Sequence, residues 1–317
     1  MWSKYVLKTS VLCLCSFFFW LSSSAFSDST SLIEPSVKDS TNTVASAEVT
    51  YKPKQSPVDF SNFGGANTQE DSHDMWLALR EQYFSNRTII EKNDNRLSLT
   101  TPSRAENDAL VPVLIDLKKS DATSNDPFKK VYLVVDVNPA PMGGIFKLAN
   151  NRTMEQIKTS VRVNGYTYIR AIGETASGKL YMSKQWVKST GAGCSAPPGL
   201  DQDMHKKRLG KMRFKQLDNK LNQRSRSLRL IISHPNNTGM QKDQLTTMFI
   251  PEHYVTNVKV SFNKDLVLEA DTNFTLSENP NFTFTFDPKE SGVLRADLKD
   301  NLDNTFSLET RIKGHLE

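Results

Sequence analysis

From residue 96 onward the sequence is cut into short runs rich in Val, Ile, Leu, Tyr, Phe and Thr, each soon broken by Gly, Asn, Asp or Pro. The first group is RLSLTT (96–101), ALVPVLIDL (109–117), KKVYLVVDV (129–137), SVRVNGYTYIRAIG (160–173) and GKLYMSKQWVK (178–188). After a gap the pattern returns as LRLIIS, TTMFIP, YVTNVKVSF, LVLEA, NFTFTF, GVLRADLKD and TFSLET between residues 228 and 310. Runs of this length and composition, separated by turn residues, are strands of antiparallel sheets. In NFTFTF the period of two is plainest: Phe282, Phe284 and Phe286 take one face, with threonines opposite. In the 160–173 run, Asn164-Gly165 marks a turn or bulge. The expectation is an all-β chain of two immunoglobulin-like β-sandwich domains, at 71–188 and 228–317, joined by a flexible cysteine-bearing linker at 189–227. A length of 317 residues accommodates two such cores. One short helix precedes them: in SHDMWLALREQYF, Met75, Leu79 and Tyr83 recur at spacing four and Ser72 is placed to cap the start.

The first 27 residues carry Lys4 and Lys8, an apolar run from Val11 to Leu21, and then small residues through Ala25. That is the layout of a secretory signal, with an apolar run too short to span a bilayer comfortably. It predicts a periplasmic protein with no membrane anchor after cleavage. Residues 28–70, rich in Ser, Thr, Asn, Asp and Pro, read as a disordered leader. Cleavage would remove Cys13 and Cys15 and leave Cys194 as the one cysteine, so an internal disulfide is excluded.

Cys194 stands in STGAGCSAPPG (189–199). Gly191, Ala192 and Gly193 leave the preceding backbone little restrained, and Pro197 and Pro198 stiffen the backbone beyond it. The stretch from Val187 to Cys194 reaches roughly 25 Å when extended. A thiol on such a tether can enter another protein's cleft. Because the thiolate is the nucleophile, nearby cations would help it, and His205 and Lys206 to Arg208 are the neighbours in sequence.

The overall net charge of +5 is concentrated: residues 201–229 hold ten Lys or Arg against three Asp. A basic segment of this kind is a solvated linker, a marginal helix through Leu209, Met212, Leu217 and Leu221, or a surface that steers an acidic partner. Phe214 is the one aromatic residue among the basic ones, which offers no series of stacking platforms, and nucleic-acid binding is not expected. Phosphate loops, dinucleotide fingerprints and Ser-His-Asp order signals are absent, NPAPMGG (138–144) being a plain turn, so no cofactor is called for. His73, His234, His253 and His315 form no close-spaced ligand pair, and no metal site is expected.

Taken in order, GAGCSAPPG and LTTPSRAENDALVPVLIDL (99–117) resemble the SoxY family, and HPNNTG (234–239), IPEHYV (250–255) and NPNFTFTF (279–286) resemble SoxZ. The chain is similar to a fused SoxYZ of the subfamily associated with quinoprotein dehydrogenases. The resemblance implies a non-enzymatic sulfur carrier, with Cys194 as the covalent attachment site and Gly191, Ala192 and Gly193 as its arm. Its implied partners are periplasmic sulfur-oxidising enzymes. The alternative is an accessory binding protein for a quinoprotein dehydrogenase or its cytochrome, with Cys194 peripheral. Two departures stand out: Gly-Ala-Gly replaces the family's Gly-Gly before the cysteine, and the arm is internal. Asn236 also takes a place where SoxZ commonly has methionine.

Overall fold

The computed structural model describes residues 68–91, 96–117, 126–149, 154–198, 207–217 and 226–314. The expected signal at 1–27 and nearly all of the leader at 28–70 lie outside the described residues.

Helix α1 (Gln69–Phe84) is capped by Thr68, whose hydroxyl accepts from the Asp71 N–H while the Asp71 carboxylate accepts from the Thr68 N–H. Ser72 is not the cap. It is buried inside the first turn, where its hydroxyl donates to Asp136 Oδ2 at 2.8 Å and accepts from the Tyr168 N–H at 2.9 Å. Met75, Trp76 and Leu79 supply the buried face.

The strands of the first half are β1 (Ile89–Ile90), β2 (Leu97–Thr100), β3 (Val111–Leu117), β4 (Phe128–Val135), β5 (Met142–Leu148), β6 (Gln156–Val161), β7 (Thr167–Thr175) and β8 (Leu180–Val187). Those of the second half are β9 (Met212–Leu217), β10 (Arg226–Ile232), β11 (Val255–Phe262), β12 (Asp265–Thr272), β13 (Asn281–Phe286), β14 (Gly292–Asp300) and β15 (Thr305–Ile312). All-β architecture is thus what the period-two runs specified, and the 160–173 run is two strands, β6 and β7, parted near Asn164-Gly165.

The halves share their sheets. One sheet has the order β1-β8-β7-β4-β5-β12-β11-β14-β15, the other β2-β3-β6-β13-β10-β9. Two antiparallel seams cross from one half to the other: β5 with β12, from Leu148↔Leu268 to Gly144↔Thr272, and β6 with β13 at Lys158↔Thr283 and Ile157↔Phe284. An open sheet edge is a row of unpaired backbone groups, and each half closes two such edges on the other. The core is correspondingly continuous. Ile115, Phe146 and Ile157 of the first half pack in one cluster with Val258, Phe282 and Leu294 of the second, and the Phe146 and Phe282 rings lie 6.2 Å apart.

Three local readings are corrected. Residues 212–217, read as marginal helix or solvated linker, form β9 paired with β10, because Met212 and Phe214 alternate with exposed Arg213 and Lys215 and pack on the core. Met142–Leu148 is a strand, not the continuation of a turn; Gly143 and Gly144 masked its period. TTMFIP is a loop that leaves Met248, Phe249 and the preceding Leu245 exposed, folded back on residues 241–243 through a Lys242↔Phe249 bridge and backbone hydrogen bonds to Gln241 and Asp243.

Candidate functional site

Strand β8 ends at Val187, and the next residues turn back over the end of the sandwich instead of leaving it. The Lys188 N–H donates to the Ser103 carbonyl and the Thr190 N–H to Asp108 Oδ2, both at 2.9 Å. The Thr190 hydroxyl donates to the same carboxylate oxygen. Gly191 takes φ +90°, a conformation that side chains resist, and reverses the chain. At Gly193 the N–H donates to the Val163 carbonyl, and a Cβ there would collide with the carbonyl oxygens of Val163 and Asp108. The glycines of the arm therefore permit close backbone packing as well as freedom.

Cys194 follows as part of a tight turn at 193–195, between exposed Ala192 and exposed Ser195, and its side chain points inward with 0% exposure. The expectation of a free, solvated tether is corrected on this point. A small apolar side chain next to a residue without Cβ can be pressed into a gap that a larger one could not enter.

Side chains of both halves grip the arm. Thr238 Oγ1 donates to the Cys194 carbonyl at 2.6 Å and Gln241 Nε2 to the Ala196 carbonyl at 2.9 Å. From the first half, Arg162 Nη1 donates to the Gly193 carbonyl at 3.2 Å, and its Nη2 reaches the Asn236 carbonyl at 3.4 Å. Thr238 and Gln241 are themselves fixed, since the Thr238 N–H donates to Gln241 Oε1 at 3.0 Å. HPNNTG is therefore the cradle of the arm, a role that its sequence position did not disclose.

Asn236 anchors that cradle. It sits at φ +47°, which asparagine tolerates better than most residues. Its Oδ1 accepts from the Val255 N–H and its Nδ2 donates to the Leu276 carbonyl, both at 2.9 Å, so one buried amide ties the turn to β11 and to the approach to β13.

Burial pushes the Cys194 thiol up to about 12, opposed only in part by the positive charge of Arg162. While docked the sulfur is a neutral thiol and no nucleophile. The cation acting on it is Arg162, just past the end of β6, which sequence reading passed over; Lys207 and Arg208 are exposed, and His205 and Lys206 lie outside the described residues. The run gave no mark of Arg162, which falls at the outward position between inward-facing Val161 and Val163. Along the outer side of the arm, a cavity of about 370 Å³ is lined by Ser195, Pro197, Met240, Lys242, Asp243, Gln244 and Thr247.

His234, His253 and Asp300 come together nearby, although they are far apart in sequence. His253 Nε2 lies 2.8 Å and His234 Nε2 3.5 Å from Asp300 Oδ2. His234 Nδ1 accepts the Asn236 N–H at 3.1 Å, so in the neutral ring Nε2 carries the proton and has no lone pair for a metal. Burial also holds His234 down to about 4. The trio reads as a structural tie between the cradle and the β14–β15 turn.

Two family models match the chain in tandem. "Sulfur oxidation protein SoxY" covers residues 80–194, ending on the cysteine, and "Sulphur oxidation protein SoxZ" covers residues 214–311. The chain is similar to the sulfur carrier protein SoxY from Chlorobium limicola f thiosulfatophilum, at 20% identity over 37% of this chain and 93% of that one, with a TM-score of 0.30. It is also similar, at 8% identity over 69% of this chain and 30% of the other, to the BSP domain of a biofilm associated protein, with a TM-score of 0.22. No curated protein matches.

Proposed function

Since the chain belongs to the SoxY and SoxZ families, fused in one polypeptide, we propose that it is a periplasmic carrier that holds sulfur intermediates covalently on Cys194 and presents them to sulfur-oxidising partner enzymes. It is a carrier and not itself an enzyme. The observation that carries the reading is the placement of Cys194. It ends the SoxY match, lies in a turn with surface residues on both sides, and is held by a few reversible hydrogen bonds from the SoxZ half.

Loading requires release. In the docked turn the sulfur is protonated and sealed. Released into solvent, it returns toward the ordinary thiol range of about 8.5, and a useful fraction ionises. The thiolate then attacks a sulfur–sulfur bond of the incoming species: a new S–S bond forms, the old one breaks, and the departing sulfur takes the electron pair. Unloading is the reverse exchange or cleavage by a partner. Gly191, Ala192 and Gly193 serve as the hinge of that movement. The exposed Leu245, Met248 and Phe249, beside the cavity that borders the arm, offer an apolar rim for a partner to rest on.

The test is the mass of the peptide spanning residues 189–198 in protein purified from the periplasm under non-reducing conditions. Sulfur-derived additions on Cys194, absent from Cys194→Ser, are expected. A bare thiol under conditions of active sulfur oxidation, together with tight retention of a quinoprotein dehydrogenase or its cytochrome, would transfer support to the accessory role and sink the carrier.

A further inference from the structure

Arg162 is 2% exposed, yet none of its hydrogen bonds goes to a carboxylate. A guanidinium has five N–H donors. Two are used here, in contacts of 3.2 and 3.4 Å to the Gly193 and Asn236 carbonyls, and Nε has no partner. Burial lowers its proton affinity, and the groups that offset this are Cys194 first and Glu278 second. A buried cation with idle donors and no carboxylate in contact is costly, and proteins normally neutralise one with an anion in contact. Here its Nη1 holds the carbonyl of the residue before Cys194, and the thiol whose charge it would feel first is uncharged in the unloaded, docked state.

We infer that Arg162 reads the charge of whatever Cys194 carries: when the loaded arm lies in its cradle, the guanidinium pairs with an anionic terminal group on the adduct, and neutral cargo is held less firmly. Two features point this way independently of the cysteine: the orphaned Nε and the open valence of both Nη atoms. Charge-assisted hydrogen bonds are about twice as strong as neutral ones, and a planar fork matches an oxyanion with more than one acceptor. The cradle would thereby sort arms by load. An arm ending in an anion re-docks and is shielded; one ending in a neutral group stays in solvent, open to further exchange. The inference rests on the carrier reading for its biological cargo, but its chemistry does not.

The decisive comparison uses two adducts of nearly equal size placed on the intact protein. Iodoacetate and iodoacetamide both alkylate Cys194 by thiolate attack on carbon, with loss of iodide and of the thiol proton to buffer. One leaves an anionic carboxymethyl group and the other a neutral carbamidomethyl group, so the steric cost of seating each is common to both. Amide hydrogen exchange of the peptide spanning residues 189–198 then reports docking. Exchange roughly 10- to 100-fold slower for the carboxymethyl form is expected, from one charge-assisted interaction. The ratio should fall to about one in Arg162→Gln and persist in Arg162→Lys. Equal exchange of the two forms in the unsubstituted protein overturns the inference without any variant having to fold, and so does a ratio that survives Arg162→Gln. A native arm peptide that never carries sulfur would defeat the carrier reading and leave this comparison intact.

Discussion

Replacing Thr238 by alanine should speed the chemistry of a cysteine 44 positions away in sequence. Four hydrogen bonds hold the 193–196 turn: Thr238 to the Cys194 carbonyl, Gln241 to the Ala196 carbonyl, Arg162 to the Gly193 carbonyl, and the Gly193 N–H to Val163. At about 0.5–1.5 kcal/mol net each, they favour docking by roughly 2–6 kcal/mol, an open fraction between about 3 in 100 and 4 in 100,000. Thr238→Ala leaves the Cys194 carbonyl buried without a donor, at about 1–3 kcal/mol, so the open fraction rises about 5- to 150-fold. Since the docked thiol is neutral and sealed, alkylation follows the open population. The assay is the second-order rate of iodoacetamide addition at Cys194 at pH 7.5, read by peptide mass and compared with a synthetic peptide of residues 187–199. The native protein should react well below the peptide rate, and Thr238→Ala should recover part of the gap while the thermal midpoint moves little. A native rate equal to that of the peptide, or an unchanged rate in Thr238→Ala, would refute the docked-arm reasoning.

Docking should also be pH-dependent, because the docked thiol binds its proton more tightly than the free one. Docking is then fully favourable below about pH 8.5 and weakens above it, approaching about 1.4 kcal/mol per unit toward the docked value of about 12; amide exchange at residues 191–196 should accelerate about fivefold from pH 8.5 to 9.5 at constant intrinsic rate, and Cys194→Ala should remove the effect. Asn236→Ala should strand the Val255 N–H and the Leu276 carbonyl, lowering stability by about 2–6 kcal/mol and the melting temperature by roughly 5–20 °C in calorimetry; a loss under about 1 kcal/mol would show that the amide is not the anchor. The halves 1–200 and 207–317, produced as separate chains, should recombine into a stoichiometric complex, whereas the first alone, with β5 and β6 as bare edges, should aggregate in size-exclusion chromatography. Monomeric, well-folded separate halves would contradict the shared-sheet account.

Period-two runs and turn residues made most strands legible, including 292–300, where the run and β14 coincide. Strand β5 was hidden because two of its residues are glycines, and β9 because four apolar positions fell at spacings compatible with a helix. Edge pairing between halves leaves no local mark: Leu148 and Leu268 read the same whether their strands face solvent or each other. In the site, the cysteine and its glycines stood out because a lone cysteine among glycines is unusual in a chain expected to be exported. Arg162, Thr238 and Gln241 did not, since their work consists of contacts with residues 31 to 45 positions away. The same stretch of glycine serves a swinging tether and a tightly packed turn, and only its neighbours in space decide which.

The two seams impose a geometry on any encounter. If Cys194 carries sulfur as proposed, then with both sheets running unbroken from one half into the other no swivel between halves is available to carry it outward. On that reading its range would be set by the leash alone, a radius fixed by the few residues past the end of β8, and a receiving enzyme would have to bring its catalytic groups within that circle and over the mouth of the cradle. Lengthening the leash by a few glycines would widen the circle without touching the grip, which separates how far the sulfur travels from how firmly it is kept.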